Sequence, residues 1–146
     1  MNASEDPRRE ALGNEIAALM SPLARDLRSG FVACAAELEL SPAEAQALWL
    51  LAARGSMTTG DLARALGVDP ANASTLVTKL ERRGLIAREA DAGDRRRRVS
   101  SLTAEGRRAR QRLSRCMGAR RPTFGSLSTD ELLTFRDLLR KLDAQA

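Results

Sequence analysis

The sequence predicts a mainly α-helical protein with one small β-hairpin. Apolar residues recur at three- and four-residue steps along most of the chain, which is the spacing of one face of an α-helix. Several of these segments begin with a Ser, Thr or Asp suited to cap a helix. Residues 85–102 instead contain two short segments on either side of a polar turn, a pattern typical of a hairpin.

The first helix is predicted from about Arg9 to Glu39, and residues 1–8 are predicted to be disordered. Pro22 follows Ser21 inside this segment, so either Ser21 caps a new helix or one long helix kinks at Pro22. The apolar residues form a single stripe: Leu12, Ile16, Leu19, Leu23, Leu27, Phe31, Cys34 and Leu38. A long helix with one apolar stripe needs a partner, and little of the remaining chain is available, so a second subunit is expected.

The second helix begins at a strong signal. Ser41-Pro42-Ala43-Glu44 is a capping box with Pro at the first helical position. The helix that it starts is predicted to end near Gly55. Trp49 lies on this helix and is expected to belong to the core.

Two shorter helices are predicted next. Thr58 caps the first of them, which ends at Gly67, and Asp69 with Pro70 starts the second, residues 70–84. Two short helices joined by a Gly-containing turn form a helix-turn-helix.

A hairpin directly follows the helix 70–84. Leu85–Arg88 predicts a short strand, Asp91–Asp94 a turn, and Val99–Leu102 a returning strand. A hairpin in this position is a wing. The wing, residues 88–102, carries four consecutive arginines, Arg95–Arg98.

Two helices complete the predicted fold. Thr103 caps a helix from Ala104 to about Arg120, and Pro122 and Gly125 end it. A second capping box, Ser128–Glu131, starts the last helix. The apolar face of that helix consists of Leu132, Phe135, Leu138, Leu139 and Leu142.

Positive charge is concentrated in the middle of the chain. Residues 54–121 contain 17 Lys and Arg against 7 Asp and Glu, whereas the other residues contain 7 against 12. This segregation favours a polyanionic partner. A nucleic acid is favoured over an anionic membrane surface. The alternative is a solvated charged surface without such a partner.

The composition argues against an enzyme. The chain has no His and no Tyr, so general acid–base chemistry would depend on carboxylates, Lys or Cys, and no cofactor or metal is expected. Cys34 and Cys116 have no CxxC spacing, so neither a disulfide scaffold nor a zinc site is expected, and both are predicted to act as small apolar residues. The acidic, polar N-terminus does not resemble a secretory signal, and the cytoplasm is the expected compartment.

The helix 70–84 is predicted to have two different faces. Ala73, Leu76, Val77 and Leu80 form an apolar stripe. The opposite face presents small or polar residues: Ala71, Asn72, Ser74, Thr75, Thr78 and Lys79. An ordinary amphipathic surface helix is one interpretation. The other is a recognition helix, because an α-helix fits the major groove of B-DNA.

Individual side chains on this face suit different DNA groups. Asn72 is predicted to pair with adenine, and Lys79 to contact a phosphate. Ser74 and Thr75 are predicted to bond to bases or phosphates, with the Thr75 methyl group against thymine.

The arginines of the wing are predicted to enter the minor groove. A narrow minor groove rich in A·T pairs attracts an inserted arginine through its negative potential. Neighbours along a strand point to opposite faces, so Arg95–Arg98 do not all point one way. Asp94 is expected to brace an arginine or the turn.

The ordered motifs resemble the MarR family of winged-helix transcriptional regulators. LSPAEAQALWLLA resembles the family's second helix, and TTGDLARALGVDPANASTLVTKLERRGLI resembles its helix-turn-helix. DAGDRRRRVSSLTAEG resembles the signature wing DxxDRRxxxVxLTxxG, and LSTDELLTFRDLLRKL the closing dimerisation helix. The resemblance covers about residues 10–144.

The resemblance implies a homodimer that reads a pseudo-palindromic DNA operator, with repression as the expected outcome. Residues 1–40 would form an N-terminal dimerisation region, 41–103 the winged helix-turn-helix DNA-binding domain, and 104–146 the C-terminal dimerisation helices. The groove-facing positions carry Asn72, Ser74, Thr75 and Thr78. Asp94 and Arg96 occupy the wing's paired acid and arginine, with Arg95 and Arg97 beside them, and Ser100 stands where the family usually has Val.

The resemblance also implies a small aromatic or anionic effector bound between the dimerisation and DNA-binding regions. The candidate lining residues are Met20, Arg28, Phe31 and Trp49. Two alternatives stay open: a redox-responsive regulator that uses Cys34 and Cys116, and a winged-helix protein-interaction module without specific DNA binding.

Overall fold

The structure, a computed structural model, describes residues 6–120 and 124–143. The elements in chain order are α1 Pro7–Glu37, α2 Pro42–Arg54, β1 Ser56–Met57, α3 Thr59–Leu66, α4 Pro70–Arg82, β2 Ile86–Ala90, β3 Arg98–Leu102, α5 Ala104–Ala119 and α6 Thr129–Asp143. The predicted fold class, mainly helical with a small sheet and a wing, is confirmed.

The first helix is longer and more continuous than its sequence suggests. It begins at Pro7, where the Asp6 carboxylate accepts a hydrogen bond from the Arg8 backbone N–H at 3.0 Å. The prediction of disorder is therefore wrong for residues 7 and 8, and residues 1–5 lie outside the described part of the chain. Of the two interpretations of Pro22, one uninterrupted helix is correct, because Pro22 lies inside α1.

The predicted helix caps are confirmed. The capping box of Ser41 and Glu44 starts α2, and Thr58 forms a second box with Asp61 at the start of α3. The Asp69 side chain accepts from the Asn72 backbone N–H at the start of α4. These caps satisfy backbone donors that would otherwise be unpaired, so they determine where each helix of the helix-turn-helix begins.

The sheet has three antiparallel strands in the order β1-β3-β2, so the wing hairpin gains a strand that the sequence does not reveal. A two-residue strand, Ser56–Met57, is too short to show any periodicity. Ser100 lies in the central strand, opposite Met57 on one side and Arg88 on the other. Its side chain is buried, so a small residue occupies the inward position at this point of the sheet.

The core joins the helix-turn-helix to the helices on either side. Its largest fully buried apolar side chains are Leu48, Leu51, Leu62, Leu80, Leu113 and Val77. Gly106 in α5 lies directly against the turn before β2, where a Cβ atom on it would be 1.9 Å from the Leu85 carbonyl oxygen. Thr103 closes the same junction, since its hydroxyl donates to the Gly84 carbonyl at 2.6 Å.

The chain divides into two compact units. One consists of residues 29–118 and holds the core and the sheet. The other consists of residues 1–28 and 119–146, and helix α1 contributes to both. In the second unit, the predicted capping box of Ser128 and Glu131 is confirmed, and Phe124 packs against Phe135 with ring centroids 6.4 Å apart. Pro122, predicted to help end α5, lies outside the described residues.

The cysteines correct an expectation. Cys34 of α1 and Cys116 of α5 are joined by a disulfide, with Cα atoms 5.8 Å apart. They are 82 residues apart in the chain, so only the tertiary packing of α1 against α5 brings them together, and no spacing rule applies to such a pair.

Among the described helices, none is long and apolar enough to cross a membrane.

Candidate nucleic-acid interface

Helix α4 presents the predicted two faces. Ala73, Val77 and Leu80 are fully buried, and Leu76 is half-buried against the core. The residues of the opposite face are all exposed: Ala71, Asn72, Ser74, Thr75, Thr78 and Lys79. The structure therefore brings the six helix residues of the predicted site together on one solvent-facing surface, and their individual contacts with DNA stay predictions.

Asn72 is oriented by the cap of its own helix. Its side-chain amide donates to the Asp69 carboxylate, which also accepts from the Asn72 backbone N–H at 2.9 Å. These bonds, the backbone bond first, hold the pKa of Asp69 below its ordinary value. An amide has two N–H donors and one carbonyl oxygen, so this arrangement leaves one donor and one acceptor for a base edge.

Thr75 uses its hydroxyl proton locally. Its Oγ1 donates to the Ala71 carbonyl at 3.1 Å, one turn back along the helix. The hydroxyl oxygen and the methyl group then remain for an outside partner, and the methyl group is the part that suits a thymine.

Lys79 is engaged within the protein. Its Nζ lies 2.9 Å from Oε1 of Glu44, a carboxylate on α2 that is almost completely buried. No group among the described residues offers that oxygen hydrogen-bond geometry, so the contact with Lys79 is an ion pair rather than an aligned hydrogen bond. A phosphate contact by Lys79 would therefore compete with Glu44.

Arg83, just beyond α4, extends this connection. Its guanidinium donates to the carbonyls of Glu39 at 2.8 Å and Leu38 at 3.2 Å, in the turn that follows α1. It also lies 4.0 Å from Glu44. Glu44 and Arg83 thus hold the C-terminal end of α4 against α2 and the end of α1. The capping box reveals Glu44 in the sequence, but no local pattern reveals its partners 35 or more residues away.

The turn of the wing is built by two aspartates. Asp94 accepts from the Arg96 backbone N–H at 3.0 Å, and Asp91 accepts from that of Gly93 at 3.3 Å. Asp94 therefore braces the turn, one of the two roles expected for it. Arg95, Arg96 and Arg97 are exposed at the tip. Arg98 turns back, because its guanidinium donates to the Arg88 carbonyl across the hairpin at 3.1 Å.

Asp61 connects the wing to the helix-turn-helix. Its carboxylate accepts from the Thr58 hydroxyl at 2.7 Å and lies 3.9 Å from the Arg97 guanidinium. The hydrogen bond from Thr58, with the nearby Arg64 and Arg97 charges, keeps the pKa of Asp61 below its ordinary value. The sequence identifies Asp61 as a favourable residue at a helix N-terminus, whereas its contact with the wing follows only from the fold.

A cleft of about 500 Å3 lies beside the sheet in the same unit. It is lined by Leu51, Ala52, Ala53, Gly55, Ser101, Leu102, Arg107, Arg110 and Gln111. The Arg110 guanidinium stacks on Trp49, 4.4 Å from the ring centroid, and its Nε is buried with no hydrogen-bond partner in the part of the chain that the structure describes. Of the four predicted effector residues, Phe31 and Trp49 pack against the core, Met20 and Arg28 are exposed, and none lines this cleft.

The exposed helix face, the arginine wing and the third strand define a winged helix-turn-helix. Residues 38–97 match the model of the MarR family. This match covers the segment from the turn after α1 to the tip of the wing, less than half of the chain.

Three individual proteins are similar to the chain. An uncharacterised HTH-type transcriptional regulator of Bacillus subtilis, YcgE, is 39% identical over 65 residues, which are 44% of this chain and 42% of YcgE. The match thus spans less than half the length of that curated relative. CouR of Rhodococcus jostii bound to p-coumaroyl-CoA is 26% identical, with a TM-score of 0.71 and coverage of 90% of this chain and 93% of CouR. A MepR mutant of S. aureus bound to an oligodeoxyribonucleotide is 24% identical, with a TM-score of 0.63 and coverage of 89% and 96%.

The buried charge of Glu44 makes a testable contribution to stability. Burial by itself raises the pKa of Glu44, but the Ser41 backbone N–H and the Lys79 ammonium outweigh it, so the pKa lies below its ordinary value of 4.5. A carboxylate with a lowered folded-state pKa stabilises the protein above the unfolded-state value, and this contribution is lost as the pH falls through the folded-state value.

We therefore expect Glu44→Gln to lower the free energy of unfolding at pH 7 by about 1–2 kcal/mol, a moderate figure because Lys79 is half exposed and screened. The difference from the parent protein should shrink below pH 4.5. Urea unfolding at several pH values measures the free energy of unfolding of the parent and the variant, and shows how the difference changes with pH. Glu105→Gln, at an exposed carboxylate of α5, is the control. If the free energy of unfolding of Glu44→Gln stayed below that of the parent by a constant amount down to pH 3, the proposed contribution of the Glu44 charge would be wrong.

Proposed function

We propose that the protein is a homodimeric, sequence-specific DNA-binding transcriptional regulator that reads a pseudo-palindromic operator. The observation that carries this proposal is the exposed polar face of α4 directly beside the arginine tip of the wing. Two similarities support it. The MepR mutant, which has a similar fold, is bound to an oligodeoxyribonucleotide, and part of the chain matches YcgE, an HTH-type transcriptional regulator.

In this proposal, α4 lies in the major groove and supplies the choice of sequence. The buried stripe of α4 fixes its rotation, so Asn72, Ser74, Thr75 and Thr78 all face outward. Asn72, oriented by Asp69, offers the donor and acceptor that the edge of adenine requires.

The wing contributes affinity through the minor groove. Three exposed arginines at a braced turn place positive charge where the narrow groove has its strongest negative potential. Arg97 is partly neutralised by Asp61, so Arg95 and Arg96 are the stronger candidates for insertion.

The dimer is proposed from apolar surface that the described residues leave exposed. Leu12, Ile16 and Leu19 of α1 are each more than half exposed. On α6, Leu138 and Leu142 are 56% and 60% exposed and lie one turn apart. Such surface is unfavourable in water and is typical of an interface. Residues 1–40 and 104–146 would supply it, and residues 41–103 would bind DNA. A dimer seated on a promoter would block access to it, so repression is the outcome that we propose.

We further propose that a small aromatic or anionic ligand modulates DNA binding. The cleft beside the sheet is lined by two arginines, Arg107 and Arg110, whose positive charge suits an anionic ligand. Arg110 also carries its charge over the face of Trp49. CouR, of similar fold, is seen with an aromatic acyl-CoA. Contributions from Met20, Arg28 and Phe31 stay predictions.

A protein-interaction module without specific DNA binding is the alternative, in which Arg95–Arg98 would be a solvated charge run. The wing variants below separate the two functions.

The first prediction concerns the division of roles between wing and helix. Replacing Arg95, Arg96 and Arg97 together by Gln should weaken binding to all duplexes and reduce the slope of log affinity against log salt by about 2–3, because each phosphate contact contributes about 0.9. Asn72→Ala should leave the slope unchanged and reduce the preference for a selected site over random DNA by about 5- to 150-fold.

Fluorescence anisotropy with duplexes selected from a random pool, at several salt concentrations, measures both effects. Replacing Arg108, Arg112 and Arg115 together by Gln removes three exposed charges of α5 and is the matched control. If the triple variant bound DNA as the parent does, the wing would have no role in DNA binding. If no duplex were selected at all, the interaction-module alternative would replace the proposal.

The second prediction concerns the dimer. Leu138→Asp should dissociate the protein into monomers, because a charge would lie in the apolar contact. Arg140→Asp introduces the same side chain two residues away, outside the apolar face of α6, and should leave the dimer intact. Sedimentation equilibrium gives the mass of each, and circular dichroism verifies folding. A monomeric parent protein would refute the proposed dimer.

The third prediction concerns the ligand site. Trp49 is the only Trp of the chain, so its fluorescence reports events at Arg110. Adding benzoate, as a minimal aromatic anion, should change this fluorescence in a saturable way. Arg110→Met keeps much of the apolar bulk of the side chain and should abolish the response. An identical response in Arg110→Met would place the binding site elsewhere.

A further inference from the structure

The disulfide between Cys34 and Cys116 lies within the unit of residues 29–118, which also holds the recognition helix. The two sulfur atoms have different surroundings. Cys34 is completely buried in the core, whereas Cys116 is partly exposed on α5. Of the two cysteines, only Cys116 therefore has surface that a reagent in solution can approach.

The disulfide is adjacent to the contact that holds α4. Cys34 lies in the last turn of α1, and the turn after it is closed by the Leu40 backbone N–H, which donates to the Ala35 carbonyl at 2.9 Å. Arg83 donates to the carbonyls of Leu38 and Glu39 in this same turn. A covalent bond at Cys34 thus restrains the backbone that Arg83 uses to hold the end of α4.

Glu37 lies beside the accessible sulfur. Its Oε2 is 3.5 Å from Cys116 Sγ. A disulfide sulfur has no proton, so in the oxidised form this is a contact between a carboxylate and a sulfur. In the reduced form the Cys116 thiol can donate to the same oxygen.

We propose that Cys34 and Cys116 form a reversible thiol–disulfide switch that exchanges with a small-molecule disulfide and its thiol, and that the disulfide form binds DNA more tightly. The effect on DNA rests on the proposed function. The disulfide preorganises the turn that positions α4, so less freedom is lost when α4 enters the groove.

The exchange proceeds in two balanced steps. The Cys116 thiolate attacks one sulfur of the small disulfide, forms a mixed disulfide and releases one small thiolate. The Cys34 thiolate then attacks the Cys116 sulfur of the mixed disulfide and releases the second small thiolate. The two protein thiols lose two electrons and two protons, and the small disulfide is reduced to two thiols. Reduction is the reverse sequence, with attack at Cys116 because Cys34 is inaccessible.

The chemical part is tested with oxidised glutathione and intact-mass measurement. Cys34→Ala should retain glutathione on Cys116, because no second thiol can displace it. In Cys116→Ala, Cys34 should stay unmodified in the native protein and react only in denaturant, which also shows that the variant is folded. Equal labelling of Cys34 and Cys116 in the two native variants would overturn the proposed order of attack.

The effect on DNA is tested by measuring the affinity of the parent protein for a selected duplex in its oxidised and reduced forms. We expect the disulfide form to bind at least about 5-fold more tightly, the lower end of typical coupling between sites. Arg83→Met should keep the disulfide but remove this difference. Equal affinities, or tighter binding by the reduced form, would overturn the switch. Absence of DNA binding in both forms would overturn the proposed function and the coupling, while the mass data would still decide the exchange chemistry.

Discussion

The burial of one stripe of α4 is the constraint on which the rest of the interface depends. Because Ala73, Val77 and Leu80 are packed into the core, the rotation of the helix is fixed and its small polar residues must face solvent. Burying three such side chains contributes several kcal/mol, of the order of 1 to 3 for each of the larger ones, far more than any single surface contact. Glu44 and Arg83 then fix the end of the helix by connecting it to α2 and to the turn after α1.

The acidic residues around the interface orient positive and polar groups without removing the excess of positive charge. Asp69 orients Asn72, Asp94 shapes the wing turn, and Asp61 holds Arg97 near the start of α3. All three lie in a region where basic residues outnumber acidic ones by 17 to 7. Each carboxylate therefore reduces the freedom of a side chain or turn before binding, while the surface as a whole stays attractive to a polyanion. These carboxylates also compete with DNA for the basic side chains. At Lys79, for example, a phosphate would have to displace Glu44.

Local signals allow most of the fold and of the interface to be predicted, because helix caps and apolar spacing act within a few residues. The starts of α2, α3 and α4 and the exposed face of α4 follow from such signals. The features that sequence reasoning missed all depend on contacts between distant parts of the chain. β1 exists only because β3 pairs with it, and the disulfide only because α1 packs beside α5. Similarly, Lys79, the distant partner of Glu44, and Arg97, the distant partner of Asp61, belong to elements that no local pattern connects to these carboxylates. The start of α1 is a different case. Asp6 followed by Pro7 is a local helix-capping signal, but the polar, charged residues around it favoured a prediction of disorder.

Hydroxyl-radical footprinting of the protein on a selected duplex tests the central claim most directly, because it locates the helix and the wing on the DNA at the same time. The account predicts two protected regions on one face of the duplex, with centres about one helical turn or a small multiple of it apart. Minor-groove protection should flank each of them, and it should disappear when Arg95 and Arg96 are replaced by Gln. A single protected region without two-fold symmetry, or flanking protection that persists without these arginines, would contradict the proposed arrangement of recognition helix and wing.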